Sequence, residues 1–226
     1  MNSIKIIPLE AKHKENVIEV IVAAFDGYPL MNLFFGDTYK RSTKALWQYI
    51  FDISPIQNSL LLGATVRDEL QGVIFASPTK TEKTQDESAI AHLEARLVEE
   101  IGKEAAEFFD LYFKLKSDRQ PSQPHFYINA LGVHPPSQRM GIGSALLEHI
   151  QMLSDQHLES NGVALDTETE QNVAYYQRLG YQVSSTAELN KLGKPEHFLR
   201  SKSNFDYVKI WFMFRDQNRT VHDLPY

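Results

Sequence analysis

Stretches whose apolar residues have helical spacing alternate along the chain with short apolar runs typical of strands, and this alternation predicts a mixed α/β protein. Apolar residues recur every three or four positions, the spacing typical of helices, in residues 14–25, 38–53, 90–101, 105–115, 142–159 and 172–179. Short apolar runs between glycine, proline or polar clusters predict strands at 4–9, 60–66, 71–76, 126–133, 163–166, 181–189 and 207–215. Residues 28–35 are apolar and aromatic without a clean period. Because strands and helices alternate and two strand pairs look like hairpins, we expect a mixed sheet flanked by helices.

Composition narrows the class of protein further. The 226 residues are 42% hydrophobic and 11% aromatic, enough for the core of a single domain over 1–226. The absence of cysteine excludes disulfides, cysteine nucleophiles and cysteine zinc sites. The histidines show no metal-binding spacing, so no metal is expected. A net charge of −6 argues against a nucleic-acid partner. No signal peptide or membrane span is evident, so we expect a cytoplasmic protein without a membrane partner.

The segment INALGVHPPSQRMGIG, residues 128–143, is the most informative stretch of the sequence. It predicts a strand, a sharp turn at Pro135 and Pro136, and the glycine-rich start of a helix. Gly141 and Gly143 permit backbone conformations that a side chain would forbid. The first amides of a helix lack internal partners and attract anions. The turn is therefore predicted to bind a phosphate or pyrophosphate.

Three phosphate-binding patterns compete at this turn. A Walker-type loop fails because no lysine precedes Ser144. A dinucleotide-binding fingerprint is weakened because Leu146 stands where the third glycine belongs, although Asp166 lies where a ribose-binding acid is expected. The third pattern, Gln138-x-x-Gly141-x-Gly143, would wrap a pyrophosphate in the amides of residues 139–144. The alternative is that the two glycines have only a structural role at the start of a helix.

Two separated motifs make the sequence recognisable. LGVHPPSQRMGIGSALL at 131–147 and NVAYYQRLGY at 172–181 stand in order, about 30 residues apart. Together they resemble the GNAT superfamily of acetyl-CoA-dependent N-acetyltransferases. Residues 24–29, AFDGYP, and Trp211-x-Met213-x-Arg215 are similar to its puromycin N-acetyltransferase branch. The resemblance implies a mostly antiparallel sheet whose fourth and fifth strands splay apart, with a cofactor core at about 126–182 and an acceptor side at about 1–125.

The resemblance also implies a set of residues that bind acetyl-CoA as co-substrate. The backbone of Leu131 and Val133 would pair with the pantetheine arm, Gly132 would let the arm approach, and Asn172 would bind an amide of the arm. Helix capping is the alternative role for Asn172. The pyrophosphate would be held by the residues of the turn, which are Gln138, Arg139, Met140, Gly141, Ile142, Gly143 and Ser144.

The catalytic candidates are Tyr176, which the resemblance implies, and Glu168, which stands at the end of the fifth predicted strand. Tyr176 would be the general acid that protonates the departing thiolate. An alkyl ammonium group has a pKa of about 10.4 and must lose its proton before attack. Glu168 is the first candidate for the base, with the Tyr226 carboxylate as a remote one. Asp166, Glu168 and Glu170 could equally form a solvated acidic loop.

The acceptor site is predicted less directly. Tyr127 or Asn129 could hold a water that takes the proton of the amine. Phe25 and Tyr28 lie on the segment that covers the acceptor in the family, and Trp211 is an aromatic candidate, although such aromatics usually build core. We therefore expect acetyl transfer to a small-molecule amine by direct attack in a ternary complex. A non-catalytic acyl-CoA sensor, acetylation of a protein amine and an NAD-type domain are the alternatives, and a homodimer is left open.

Overall fold

The computed structural model describes residues 3–56, 58–78, 86–190 and 207–217. The candidate base at Tyr226 lies outside the described residues. The strands are β1 (Ile4–Pro8), β2 (Leu60–Val66), β3 (Glu69–Ser77), β4 (Phe126–Val133), β5 (Gly162–Thr167), β6 (Gln182–Asn190) and β7 (Tyr207–Asp216). The helices are α1 (Lys14–Ala24), α2 (Pro29–Phe35), α3 (Tyr39–Ile53), α4 (Glu87–Ile101), α5 (Lys103–Ser117), α6 (Ile142–Gln156) and α7 (Glu170–Arg178).

The strands form one seven-stranded mixed sheet in the order β1-β2-β3-β4-β5-β7-β6. Neighbours are antiparallel except β4 and β5, which are parallel. The β4–β5 ladder holds only the pairs from Phe126 with Val163 to Ile128 with Leu165, although β4 continues to Val133. The two strands therefore separate after Ile128, and both the mixed α/β sheet and the predicted splay are confirmed.

A bulge at Asn129 sets which face each β4 side chain occupies. Ala130 pairs with Phe75 and Ile128 with Ala76, so β4 carries one extra residue between them. Ile128 packs in the cluster under α6, whereas Ala130 packs in the cluster under α1. A Cβ built on Gly132 would lie 2.6 Å from Ile21 Cδ1. The glycine therefore lets α1 pack closely on β4, which is a packing role in addition to the predicted cofactor role.

Helices cover both faces of the sheet. The apolar stripe of α6, which includes the fully buried Leu146, Leu147 and Ile150, packs on one face. Burying such a side chain stabilises the fold by about 1.5–3 kcal/mol. Helices α1 and α3 pack on the opposite face, and α2 and α5 pack against β6 and β7. The helices on this second face bring their apolar sides next to the opening between β4 and β5.

One helix and several element boundaries differ from the prediction. Residues 29–35 form helix α2, which is buried nearly all around and therefore has no amphipathic period. Helix α6 ends at Gln156 and not at 159, because His157 turns to an extended conformation (φ −90°, ψ 116°). Helix α5 continues to Ser117, two residues beyond the predicted end at 115, so Lys116 belongs to the helix.

No single helix among the described residues is long and apolar enough to cross a membrane; a pair bent by 99°, Ala11–Ala24 with Pro29–Phe35, meets the criteria only when combined.

Candidate functional site

A cleft of about 970 Å³ begins where β4 and β5 separate. One side of it, called here the turn side, is lined by residues 131–133 of β4, by the cofactor turn 138–144 and by α7. The other side, called the helix side, is lined by α2, α3, α5 and the connection between α1 and α2. Asp166, Glu168 and Tyr176 lie on the lining as well, so the cleft contains both carboxylates and the predicted general acid.

The cofactor turn presents to the cleft backbone amides that the helix itself does not use. Gly141 is the N-cap of α6 in the left-handed conformation (φ +83°), and no described side chain caps the helix. The first helical hydrogen bond runs from Ala145 N to Gly141 O at 2.9 Å. The amides of residues 142–144 therefore precede the helical ladder and are available to an anion. The residues present fit the pyrophosphate of a coenzyme A molecule.

Gly143 has a packing role beside its predicted one. A Cβ on Gly143 would lie 3.0 Å from the Tyr175 hydroxyl, which is 3.1 Å from the Ser144 hydroxyl. The glycine therefore lets α7 approach the start of α6. Because the approach brings Tyr175 beside the turn, any side chain larger than hydrogen at residue 143 would have to displace that tyrosine.

The other residues predicted to bind the cofactor differ in which of their groups lie at the cleft. Gln138 donates its amide to Val133 O at 3.3 Å, which ties the turn to the end of β4. Arg139 has a positive φ of 64° and lines the cleft. Ile142 is buried in the core below α6, so it offers the cleft its backbone amide. Met140 is half exposed and lies outside the described lining.

Asn172 lines the cleft on the first turn of α7. The alternative reading of Asn172 as a helix cap is wrong, because Thr169 is the N-cap and its hydroxyl accepts from Asn172 N at 3.2 Å. The side-chain amide of Asn172 donates to Thr167 Oγ1 at 3.1 Å. This bond fixes the Asn172 side chain at the end of β5, beside the opening between the strands.

The end of β5 is a buried carboxylate cluster, made of Asp166 and Glu168 with Tyr112, Lys116 and Tyr127. Asp166 accepts hydrogen bonds from the hydroxyls of Tyr112 and Tyr127, and its carboxylate lies 3.1 Å from Lys116 Nζ. The side chains of Lys116 and Asp166 are only 6% and 5% exposed. The alternative of a solvated acidic loop is therefore wrong for Asp166 and Glu168, since only Glu170 of the three is exposed.

Glu168 combines burial with an unsatisfied oxygen. Its Oε1 has no hydrogen-bond partner among the described residues. Burial raises the pKa of the Glu168 carboxyl to about 8, and the negative charge of Asp166 adds to the increase. The Tyr28 hydroxyl and the Lys116 ammonium group oppose it. A carboxylate with a pKa near the working pH can both take and release a proton, which is what a general base requires.

Tyr176 is buried on α7, with its ring 5.3 Å from the Tyr175 ring and 5.8 Å from the Tyr181 ring. Burial, followed by the neighbouring tyrosines and the carboxylate of Glu168, raises the pKa of the Tyr176 hydroxyl well above its usual 10. The hydroxyl therefore keeps its proton at neutral pH and faces a cleft where it can donate it.

The structure brings only some of the predicted acceptor residues to the cleft. Phe25, Tyr28 and Asn129 line it, and Tyr28 is fixed by a 3.1 Å hydrogen bond to Thr167 Oγ1. Tyr127 lies behind the lining and donates to Asp166. Trp211 lies on β7, packed against the cluster under α6 and outside the described lining, so its side chain builds core at the sheet.

Lys116 and Tyr112 were missed by sequence reasoning. Both stand on the apolar face of α5, which also carries Phe108 and Phe109. The lysine occupies the position one turn after Tyr112, where the pattern calls for an apolar residue. A cation at such a position is buried by the helix and therefore needs a counter-charge. The position of Lys116 on the apolar face of the helix could therefore have indicated a buried cation. It could not have identified Asp166 as its partner.

Comparisons with known proteins point to one domain family. Residues 94–183 match the family model for the acetyltransferase (GNAT) domain. Peptidyl-lysine N-acetyltransferase YjaB of Escherichia coli (strain K12) is 30% identical over 82 residues, which are 36% of this chain and 50% of that protein. The chain thus matches about half the length of this curated relative. The narrower resemblance to the puromycin branch stays a prediction.

Solved structures share the fold over nearly the whole chain. A Corynebacterium glutamicum protein described as histone acetyltransferase HPA2 and related acetyltransferase superposes with a TM-score of 0.66 and 19% identity, covering 98% of this chain and 99% of that one. Arylalkylamine N-acetyltransferase 2 of Aedes aegypti gives 0.63 and 16%, covering 96% and 100%. Residues 94–183 thus match a GNAT acetyltransferase domain, and the likenesses to solved structures show the same fold over nearly the whole chain.

Proposed function

We propose that this protein is an acetyl-CoA-dependent N-acetyltransferase that acts on the amine of a small molecule by direct attack in a ternary complex. The observation that carries the proposal is a cleft whose lining combines a helix N-terminus without a side-chain cap, a splayed strand edge, Glu168 and Tyr176. Names of relatives support the amine acceptor, since they include an arylalkylamine, a polyamine and a peptidyl-lysine N-acetyltransferase. The cytoplasmic location stays a prediction.

Acetyl-CoA supplies an acetyl group on a thioester sulfur, and the protein supplies binding and two proton transfers. The amides of the cofactor turn bind the pyrophosphate, and the free edge of β4 after Ile128 offers backbone groups to the arm. Glu168 takes one proton from the bound ammonium group, and the neutral amine then forms the N–C bond. As the C–S bond breaks, Tyr176 donates its proton to the departing sulfur, the second proton lost by the nitrogen restores the Tyr176 hydroxyl, and Glu168 releases its proton to solvent. With no cysteine in the chain, a cysteine-bound acetyl intermediate is excluded.

The buried ion pair between Lys116 and Asp166 leaves Glu168 able to accept a proton. The Lys116 charge is largely balanced by Asp166 at 3.1 Å, so Glu168 is the carboxylate with an unsatisfied oxygen on the cleft. The Tyr28 hydroxyl accepts the Glu168 backbone N–H at 3.2 Å and holds that residue in place. The base is thereby fixed in position, and holding a catalytic group in the right geometry beside the substrate lowers the barrier of the reaction.

The test begins with calorimetric titration of acetyl-CoA, coenzyme A and NADH into wild type, Gly143→Glu and Gly143→Gln. Both variants displace Tyr175 equally, because a Cβ at residue 143 lies 3.0 Å from its hydroxyl. Only the carboxylate repels a pyrophosphate, so we expect Gly143→Glu to weaken coenzyme A binding about tenfold or more beyond Gly143→Gln. Thiol release is then followed with a panel of amines.

The outcomes separate the alternatives. Binding of the coenzyme A species together with thiol release establishes the transferase. Binding without thiol release for any amine would identify an acyl-CoA sensor. Binding of NADH in place of coenzyme A would contradict the proposal and favour the dinucleotide-binding alternative.

A further inference from the structure

The helix side of the cleft is apolar along most of its length. Its wall is formed by α2, α3 and α5, and six of the lining side chains are Leu30, Met31, Phe34, Leu46, Ile50 and Phe109. Five of them are buried against one another, and Ile50 is half-buried. The rings of Phe34 and Phe109 lie 4.1 Å apart. A ligand that enters this side therefore exchanges water for hydrocarbon and aromatic surface.

Ionised groups on the helix side are confined to its inner end. Among the described lining residues, Lys116, Asp166 and Glu168 are the charged ones there, and the first two form an ion pair at 3.1 Å. Arg139 and Arg178 line the turn side. Glu94 and Asp110 act on the Tyr49 hydroxyl electrostatically but are not part of the lining. Among the described lining residues, Glu168 is thus the carboxyl group outside the ion pair that an incoming ammonium group can meet.

This distribution of charge discriminates between classes of amine. A primary ammonium group can meet Glu168, and an apolar tail gains from the wall behind it. Each methylene that is transferred from water strengthens binding about fourfold, a value that corresponds to the usual transfer free energy of a buried CH₂. A second cation on the tail would lose its water shell among Leu30, Met31 and Phe34, where the described part of the lining has no counter-charge.

We propose that the acceptor is a primary monoamine with an apolar alkyl or aryl tail, whose ammonium group meets the Glu168 carboxyl and whose tail occupies the wall formed by α2, α3 and α5. The inference rests on the proposed acetyltransferase function and adds the substrate class. Diamines, polyamines and the lysine side chain of a peptide, which bring a second cation or a polar backbone, are poor acceptors for this wall.

The experiment compares hexylamine with 1,6-diaminohexane, which match in length and differ by one ammonium group. Values of kcat/KM are measured by thiol release with saturating acetyl-CoA, and products are identified by mass. We expect hexylamine to exceed the diamine by about tenfold or more, and kcat/KM to rise about fourfold per methylene from butylamine to hexylamine. A diamine equal to or better than hexylamine, or no dependence on tail length, would overturn the inference.

A substitution in the wall provides an internal check. Met31→Glu places a carboxylate on the helix side, and Met31→Gln matches its size without the charge. We expect Met31→Glu to shift the ratio toward the diamine about tenfold relative to Met31→Gln. Acetyl-CoA titration shows whether each variant is folded, and the wild-type comparison decides the matter if one is not.

The failure of the inference is distinct from the failure of the proposed function. Thiol release with the diamine or with a lysyl peptide, but not with hexylamine, would refute the monoamine class and leave the acetyltransferase function standing. No release with any amine would refute both.

Discussion

Replacing Lys116 by methionine tests whether the carboxylate cluster is as buried as the structure indicates. Lys116 Nζ lies 3.1 Å from Asp166 and 4.3 Å from the centroid of the Tyr127 ring, so the ammonium group is held by a charge and an aromatic face. Methionine retains most of the volume of the lysine side chain. The substitution therefore removes the positive charge and leaves the Asp166 carboxylate in place.

The expected loss of stability follows from that residual charge. Removing one partner of a buried ion pair costs about 3–5 kcal/mol, because the other charge remains desolvated. The hydroxyls of Tyr112 and Tyr127 still donate to Asp166, and hydrogen bonds to a charged group contribute about 1.5–3 kcal/mol each. We therefore expect Lys116→Met to lower the free energy of unfolding by about 3 kcal/mol, at the lower end of the range.

The double variant Lys116→Met/Asp166→Asn provides the control. Its asparagine oxygen can still accept from the tyrosine hydroxyls, and no charge remains buried, so most of the lost stability should return. Urea unfolding, followed by the fluorescence of the 2 tryptophans, measures all four members of the cycle. A loss below about 1 kcal/mol for Lys116→Met, or a double variant less stable than Lys116→Met, would refute the argument.

Two further predictions concern the groups that transfer protons. The folded protein holds the Glu168 proton up to about pH 8, whereas the unfolded chain releases it near 4.5, so this contribution to stability is full below pH 4.5 and is lost as the pH rises through 8. Wild type should accordingly lose stability relative to Glu168→Gln between pH 5 and 8, by up to about 1.4 kcal/mol per pH unit. Thermal melts of both proteins across that range measure this loss. A stability difference between the two proteins that does not change with pH would contradict the assignment. Tyr176→Phe removes the proton donor and should lower kcat about 10²–10⁴-fold while the Kd of acetyl-CoA stays the same. Tyr175→Phe, on the neighbouring ring, serves as its control, and an unchanged kcat in Tyr176→Phe would remove the general-acid role.

Local patterns in the sequence were enough to predict much of the fold and the cofactor turn. The turn depends on short-range sterics: two prolines end the strand, and a glycine adopts φ +83° before the helix. Such conformations are set by a few adjacent residues, whatever the rest of the chain does. The alternation of periods likewise predicted the strands and most helices. The exception, α2, is buried nearly all around, and a helix of that kind has no polar face to reveal its period.

Tertiary structure alone decided the chemistry at the end of β5. Asp166 meets Tyr127 from 39 positions away and Tyr112 from 54, distances that no local pattern spans. Whether Glu168 is a solvated acid or a base with a raised pKa depends on which elements exclude water from it, and α5 and the segment around Tyr28 do so here. The packing role of Gly132 was hidden for the same reason, because α1, which packs against it, is distant in sequence. Backbone conformation is governed by neighbours in sequence, whereas burial and charge pairing are governed by neighbours in space.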